Sequence, residues 1–249
     1  LASPASATRA TVLVFGDSLS FHGPDGPHPA NDERLWPNLA AAAVDAQTEL
    51  FAGFGWTARD AYWSLVGDPR VWTHMPDIDA LVLAVGGMDT LPSPLPTYLR
   101  QGIRYLRPDW LRRYVRRAYL AVQPWASRAT GGWPVALPAE LTVRYLNDIV
   151  VAVRALRPDV PVVVMLPSVH RAPAYGHMHG GRSRTLALMR DWADRNNVVP
   201  FDVAEVISEH VLRGHGNPDG IHWGWEGHRM VATALAGHLA PLLAGRPDN

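Results

Sequence analysis

The sequence predicts an α/β protein built on a parallel sheet of five strands, covered by helices on both faces. Three observations predict it. Five short runs are apolar almost throughout, as strands buried on both sides are. Between them lie longer segments with apolar residues at helical spacing. Three of the five runs close on glycine, so strand, turn and helix alternate along the chain. A length of 249 residues suits one large domain of this kind.

The elements follow in order. Residues 1–10 are small and polar and predict a flexible tail without the apolar centre of a signal peptide. Residues 11–15 read as a buried strand closed by Gly16. Residues 36–44 read as a helix, with Pro37 tolerated in its first turn. A weaker strand, 49–52, ends at Gly53, and a helix over 57–66 takes Thr57 as its N-cap. Residues 80–85 form a strong strand closed by Gly86 and Gly87. Residues 161–166 and the shorter 198–201 supply the fourth and fifth strands. Helical spacing recurs over 141–156, 183–195 and 226–243. The stretch 92–138 is longer than a crossover needs; it predicts a helical insertion, a cap or wall near the strand ends, within a single catalytic domain over 11–249.

Composition narrows the chemistry. The chain has no cysteine, which excludes disulfides, thiolate metal sites and a cysteine nucleophile. It has no lysine either, which excludes a Schiff-base lysine and a P-loop. Its 23 basic and 23 acidic residues cancel, so no global field favours nucleic acid or an anionic membrane. No run of apolar residues is long enough to span a bilayer.

In an open parallel sheet, ligands bind outside the carboxyl ends of the strands. The segments there read Gly16-Asp17-Ser18-Leu19, Gly53-Phe54-Gly55-Trp56-Thr57, Gly86-Gly87-Met88-Asp89 and Pro167-Ser168-Val169-His170. Asn217-Pro218-Asp219-Gly220-Ile221-His222 precedes the last helix. Alone, Ser18 reads as a helix N-cap and His222 as one structural histidine among 11. Together they supply a hydroxyl and the base it needs. Asp219, three residues before His222, can orient that imidazole through Nδ1 and leave Nε2 for Ser18.

Gly16-Asp17-Ser18-Leu19 with Asp219-x-x-His222 resembles the GDSL, or SGNH, family of serine hydrolases and acyltransferases, in the right order and from about Thr11 to Leu243. The resemblance implies the SGNH hydrolase fold, a flavodoxin-like three-layer α/β/α sandwich. It implies Ser18 as nucleophile, His222 as general base and Asp219 as its partner. The oxyanion hole would use the backbone N–H groups of Ser18 and Gly55, with no metal and no cofactor. The family's third donor is an asparagine in a Gly-x-Asn-Asp segment, which here reads Gly86-Gly87-Met88-Asp89. A thioether cannot donate a hydrogen bond, and losing one oxyanion donor costs about 3–4 kcal/mol in barrier.

The runs 34–38, 55–57, 86–96, 167–170 and 217–223 sharpen the likeness to a subgroup that keeps this methionine. Its members move an octanoyl group from octanoyl-CoA to diglucosylglycerate, in methylglucose lipopolysaccharide synthesis in the mycobacterial cytoplasm. That likeness implies the same donor and acceptor here. A plain esterase or thioesterase with the same triad, and a glycan- or lipid-binding relative without catalysis, stay open on the sequence.

Other signals stand beside these. Gly53-x-Gly55-x-x-Ala58 is a loose dinucleotide fingerprint with Asp77 and Asp79 downstream, but Trp56 stands where a pyrophosphate would approach. His170, His177 and His179 cluster without a carboxylate at ligand spacing and read as a pocket loop. Gly180-Gly181-Arg182-Ser183 opens a helix and could hold an anion. Between Arg100 and Arg117 seven arginines meet one acid, Asp109. Arg100, Arg104 and Arg107 are expected on one helical face, and Arg113 and Arg117 are the candidates for the donor's phosphates. Of the tryptophans, Trp36, Trp56, Trp63, Trp223 and Trp225 lie in or beside the strand-end segments. Trp56 and Trp223, with Asp89 and His170, are the residues expected to meet the substrate.

Overall fold

The computed structural model describes residues 9–95, 99 and 102–245. Five parallel strands form one sheet: β1 (Ala10–Gly16), β2 (Ala46–Ala52), β3 (Ala80–Ala84), β4 (Val162–Met165) and β5 (Val199–Phe201). Their order, β2-β1-β3-β4-β5, is the flavodoxin-like one. The predicted fold class therefore holds. β1 is buried along its whole length, and Gly16 stands level with Ala52 and Ala84 at the upper edge of the sheet.

Alternate side chains send each strand into two cores. One face places Leu13, Phe15, Leu81, Leu83 and Val164 against α2 (Ala58–Gly67), α5 (Ala139–Leu156) and α6 (Arg182–Arg195). The other places Val12, Val14, Val82 and Val163 against α1 (Trp36–Ala43), α7 (Val203–Arg213) and α8 (Trp225–Ala244). Each fully buried aliphatic of this kind contributes about 1.5–3 kcal/mol. The cores make the strand ends a rigid platform.

Several expectations need adjustment. β2 begins three residues before the predicted strand, because Gln47 and Thr48 lie on the sheet's edge, where polar residues are tolerated. β1 begins at Ala10, inside the expected tail, and residues 1–8 of that tail lie outside the described residues. The short helix α3 (Pro69–His74) and the helix α7 were not predicted. The insertion contains α4 (Asp109–Ala129), whose Pro124 carbonyl and Arg128 side chain crowd Gly176 in the loop after β4. The insertion's return to the sheet is fastened by Ser93 N–H to Pro134 O, 2.7 Å, and by a bridge between Pro92 and Val135. Arg104, Arg107 and Arg100 do not share a described helical face. Arg104 sits in the turn Ile103–Tyr105, Arg107 precedes Pro108 ahead of α4, and Arg100 lies outside the described residues.

Candidate active site

The strand order reverses at β1, which is the switch point where an open α/β sheet opens a crevice. Ser18 follows β1 directly. Asp17 caps the tight turn Ser18–Ser20 by accepting from Leu19 N–H at 2.9 Å, which aims Ser18 out of the sheet end. Burial pushes the Asp17 carboxyl up to about 6.

The structure brings Ser18, His222 and Asp219 together. His222 Nε2 lies 2.8 Å from Ser18 Oγ, and His222 Nδ1 lies 2.5 Å from Asp219 Oδ2. The other carboxylate oxygen of Asp219 accepts from the N–H groups of Ile221, 2.8 Å, and His222, 3.1 Å. Asp219 thus shapes the loop that presents its own partner. Burial acts to raise its pKa, but the His222 hydrogen bond, these backbone donors and the His222 charge outweigh it and hold the carboxyl at about 2. The loop is pinned from outside as well. Gly220 has φ of +75° and presses on the backbone of Arg171, whose N–H donates to Gly220 O at 2.9 Å. A Cβ at this position would strike that backbone, so glycine is required.

The second turn of the crevice is Gly53-Phe54-Gly55. Gly55 has φ of +66°, a conformation that favours glycine. The turn bonds run from Ser20 N–H to Asp17 O and from Trp56 N–H to Gly53 O, leaving the N–H groups of Ser18 and Gly55 out of them. A Cβ on Gly55 would come 3.8 Å from the methyl of Met88, which therefore borders this turn. The arrangement can withdraw a proton from Ser18, hold the resulting imidazolium and offer two amides to an oxyanion.

Asp89 and Trp223 are not where a substrate contact requires them. Asp89 is fully buried and accepts from Ala58 N–H, at 3.1 and 3.2 Å, and from Thr142 Oγ1 at 2.8 Å. It ties the start of α2 to α5, and burial pushes its carboxyl up to about 7. Trp223 is only 1% exposed and packs in the core beside Trp36 and His228. One expected residue remains reachable. Trp56 lines a groove of about 590 Å³ with Asp60, Trp63, Ser64 and Arg70. Its indole also fills the space above Gly53 where a dinucleotide phosphate would approach. His170 accepts from Ala172 N–H through Nδ1 at 3.1 Å, while its Nε2 is buried without a partner. Burial lowers its pKa to about 4, so the ring is neutral.

Arg113 lines a groove of about 500 Å³ with Ile103, Arg104, Arg112, Arg116 and Leu120. Arg117 is exposed and is not part of that lining.

One residue escaped the sequence reading. The ring of His22 stacks on that of His222, with centroids 3.8 Å apart and planes 20° apart. Its Nδ1 donates to Gly23 O at 2.8 Å, and its carbonyl lies 3.2 Å from His228 Nε2. Phe54 meets it edge-on from the Gly53-Phe54-Gly55 turn. Burial, then the neighbouring His222 charge, lowers the pKa of His22. Its place four residues after Ser18 was the only signal in the sequence.

The chain is similar to known proteins of one family. The sequence profile of the GDSL-like lipase/acylhydrolase family matches residues 14–230. A diglucosylglycerate octanoyltransferase of Mycolicibacterium hassiacum is 48% identical over 235 residues, covering 94% of this chain and 97% of the relative. The protein of the same name from Mycobacterium tuberculosis is 45% identical over 241 residues, covering 97% and 96%. Among solved structures, a lipase/acylhydrolase from Enterococcus faecalis superposes with a TM-score of 0.61 at 11% identity, covering 93% and 96%; at that identity the likeness speaks for the fold.

Proposed function

The chain belongs to the GDSL-like lipase/acylhydrolase family, and from that premise we propose that it transfers an octanoyl group to a sugar hydroxyl of diglucosylglycerate through an ester on Ser18. The observation that carries the chemistry is the unbroken relay from Asp219 through His222 to Ser18, at 2.5 and 2.8 Å. The acyl group and acceptor rest on the two relatives of that name, which align with nearly the whole chain.

Octanoyl-CoA is the donor in this reading. Ser18 Oγ attacks the thioester carbonyl as its proton passes to His222 Nε2. The N–H groups of Ser18 and Gly55 take the oxyanion. The C–S bond then breaks, and His222 returns the proton to the departing sulfur. In the second half, a sugar hydroxyl gives its proton to His222 and attacks the Ser18 ester. The C–O bond to Ser18 breaks and Ser18 regains its proton. Thiolate is a good leaving group, so the first step asks less of the oxyanion hole than an oxygen ester would. That is why Met88 in place of the family's third donor is compatible with catalysis.

Trp56, which follows Gly55 directly and lines an open groove, supports a substrate contact beside the oxyanion turn. The arginine-lined groove beside Arg113 supports a seat for the donor's phosphates, since guanidinium forks match phosphate oxygens. The test is to supply octanoyl-CoA and diglucosylglycerate and to identify the product. Octanoylated diglucosylglycerate in excess over free octanoate supports transfer. Free octanoate alone, at any acceptor concentration, makes the enzyme a thioesterase.

A further inference from the structure

Helix α4 is amphipathic but stands largely unpacked. None of residues 109–122 is buried; the helix is anchored further along, through Gln123 and Ser127, beside the turn Pro173–Tyr175. An amphipathic helix ordinarily draws its stability from burying its apolar face. Here part of that face, Leu111, Val115 and Tyr119, is half-buried, and the strip beside it points outward. Trp110, Tyr114, Val122 and Trp125 are 62%, 68%, 56% and 70% exposed, and Ala118 and Ala121 fill the places between them. Spacings of three and four residues put them on one stripe. Tyr105, 73% exposed, adds an aromatic ring just before the helix.

Charge decides what covers this stripe. Arginines flank it, and no aspartate or glutamate occurs from residue 110 to residue 139. Asp109 is engaged by Arg107 and Arg112, each at 3.2 Å. Among the described residues, Arg113, Arg116 and Arg117 meet no carboxylate. A second copy of the chain would set this acid-free, arginine-flanked surface against itself. A bilayer surface bearing anionic headgroups offers what the stripe lacks: an apolar boundary for tryptophan and tyrosine, with phosphates beside the guanidinium groups.

We propose that α4 lies in the surface of an anionic lipid bilayer, its Trp110–Tyr114–Trp125 stripe inserted and its arginines at the headgroups. The helix carries too many arginines to cross, and no helix among the described residues is long and apolar enough to do so. The attachment is peripheral and reversible. The stripe touches neither Ser18 nor His222 and lies outside the arginine-lined groove, but Arg113 and Arg116 line that groove as well, so the headgroup contact and the donor-phosphate reading share these arginines.

The test is co-sedimentation of the full chain with phosphatidylcholine vesicles, with and without phosphatidylglycerol, at about 0.05 M and about 0.5 M salt. Binding to the phosphatidylglycerol vesicles is expected at low salt, with release at high salt and little binding to phosphatidylcholine alone. A Trp110→Ser/Trp125→Ser double variant should bind at least about tenfold more weakly. Its octanoyl transfer in vesicle-free solution should equal that of the wild type. Failure to bind the anionic vesicles, or equal binding to both kinds, overturns the proposal. So does a wild-type dimer, seen by light scattering, that the double variant dissolves to monomer, since the stripe would then belong to a second copy.

Discussion

The methyl of Met88 stands beside Gly55, at the place where the family's pattern has an asparagine amide. If two backbone amides suffice because thiolate departs easily, Met88→Asn should help a poor leaving group more than a good one. Turnover of a simple octanoate oxygen ester should rise, by a factor bounded at about 10²–10³, while the thioester rate changes little. Parallel rates on the two donors check this. A uniform loss would mean that the amide is buried without a partner and that Met88 is a packing residue. His22 calls for a different pair of variants. Its neutral ring lies flat on His222, where it fixes the plane of the base and faces the imidazolium formed in the reaction. His22→Ala should lower kcat by roughly tenfold with little change in donor KM, and His22→Phe should restore most of it. The triad was legible in the sequence because Ser18, Asp219 and His222 come in short, ordered motifs. His22 was not, because a stack between loops far apart in sequence leaves no local pattern. Asp89 and Trp223 misled for the opposite reason: adjacency to a motif does not say which way a side chain points, and both point inward.

Helix α2 connects the core to the oxyanion turn. Its first residue, Ala58, follows Gly55 by three, and the Asp60 carboxylate accepts from Thr57 N–H at 2.9 Å and Thr57 Oγ1 at 2.6 Å. Losing this reciprocal cap costs about 1 kcal/mol. Asp60→Ala should therefore lower the melting temperature by a few degrees. It should also lower kcat, since the amide of Gly55 is held in register by the start of this helix. A drop in melting temperature with unchanged kcat would separate the cap from the oxyanion turn. The cap at Thr57 could be read from sequence, as could the four strands with continuous apolar runs. Helix α7 could have been: Val203, Ile207 and Val211 recur at fourfold spacing, Asp202 caps it through Ala204 N–H, and Gly214 ends it. It was missed because it follows the three-residue strand β5 so closely that the two share one apolar stretch. α3 spans only six residues, too few for periodicity to show. The first half of β2 hid its strand character in the polar residues an edge allows.

Taken as a whole, the molecule carries two sets of buried titratable groups with opposite pH slopes. Burial lowers His170 and His228 to about 4 and His179 to about 3. Their contribution to stability is complete above about 6.5 and is lost as pH falls through 4 and 3. Burial raises Asp17 to about 6 and Asp89 to about 7 from an ordinary 3.8. Their contribution is complete below 3.8 and is lost as pH rises through 6 and 7. At pH 6.5 the histidines are neutral in the folded protein but still half protonated in the unfolded chain, so their slope opposes that of Asp89, and comparison with Asp89→Asn isolates the aspartate. Between pH 6.5 and pH 8 the unfolding free energy of the wild type should fall by about 1 kcal/mol relative to that of Asp89→Asn. Denaturant titrations at the two pH values check it; an unchanged slope in the variant would place the ionisation elsewhere. Whether the acyl group rests on Ser18 between donor and acceptor is decided by intact-protein mass spectrometry. The protein is mixed with octanoyl-CoA without acceptor, quenched rapidly and digested. A gain of one octanoyl group is expected on the peptide containing Ser18, none in Ser18→Ala, and its discharge when diglucosylglycerate is added before quenching. An unmodified Ser18 in a preparation that consumes both substrates, or an octanoyl group on another residue, would contradict it.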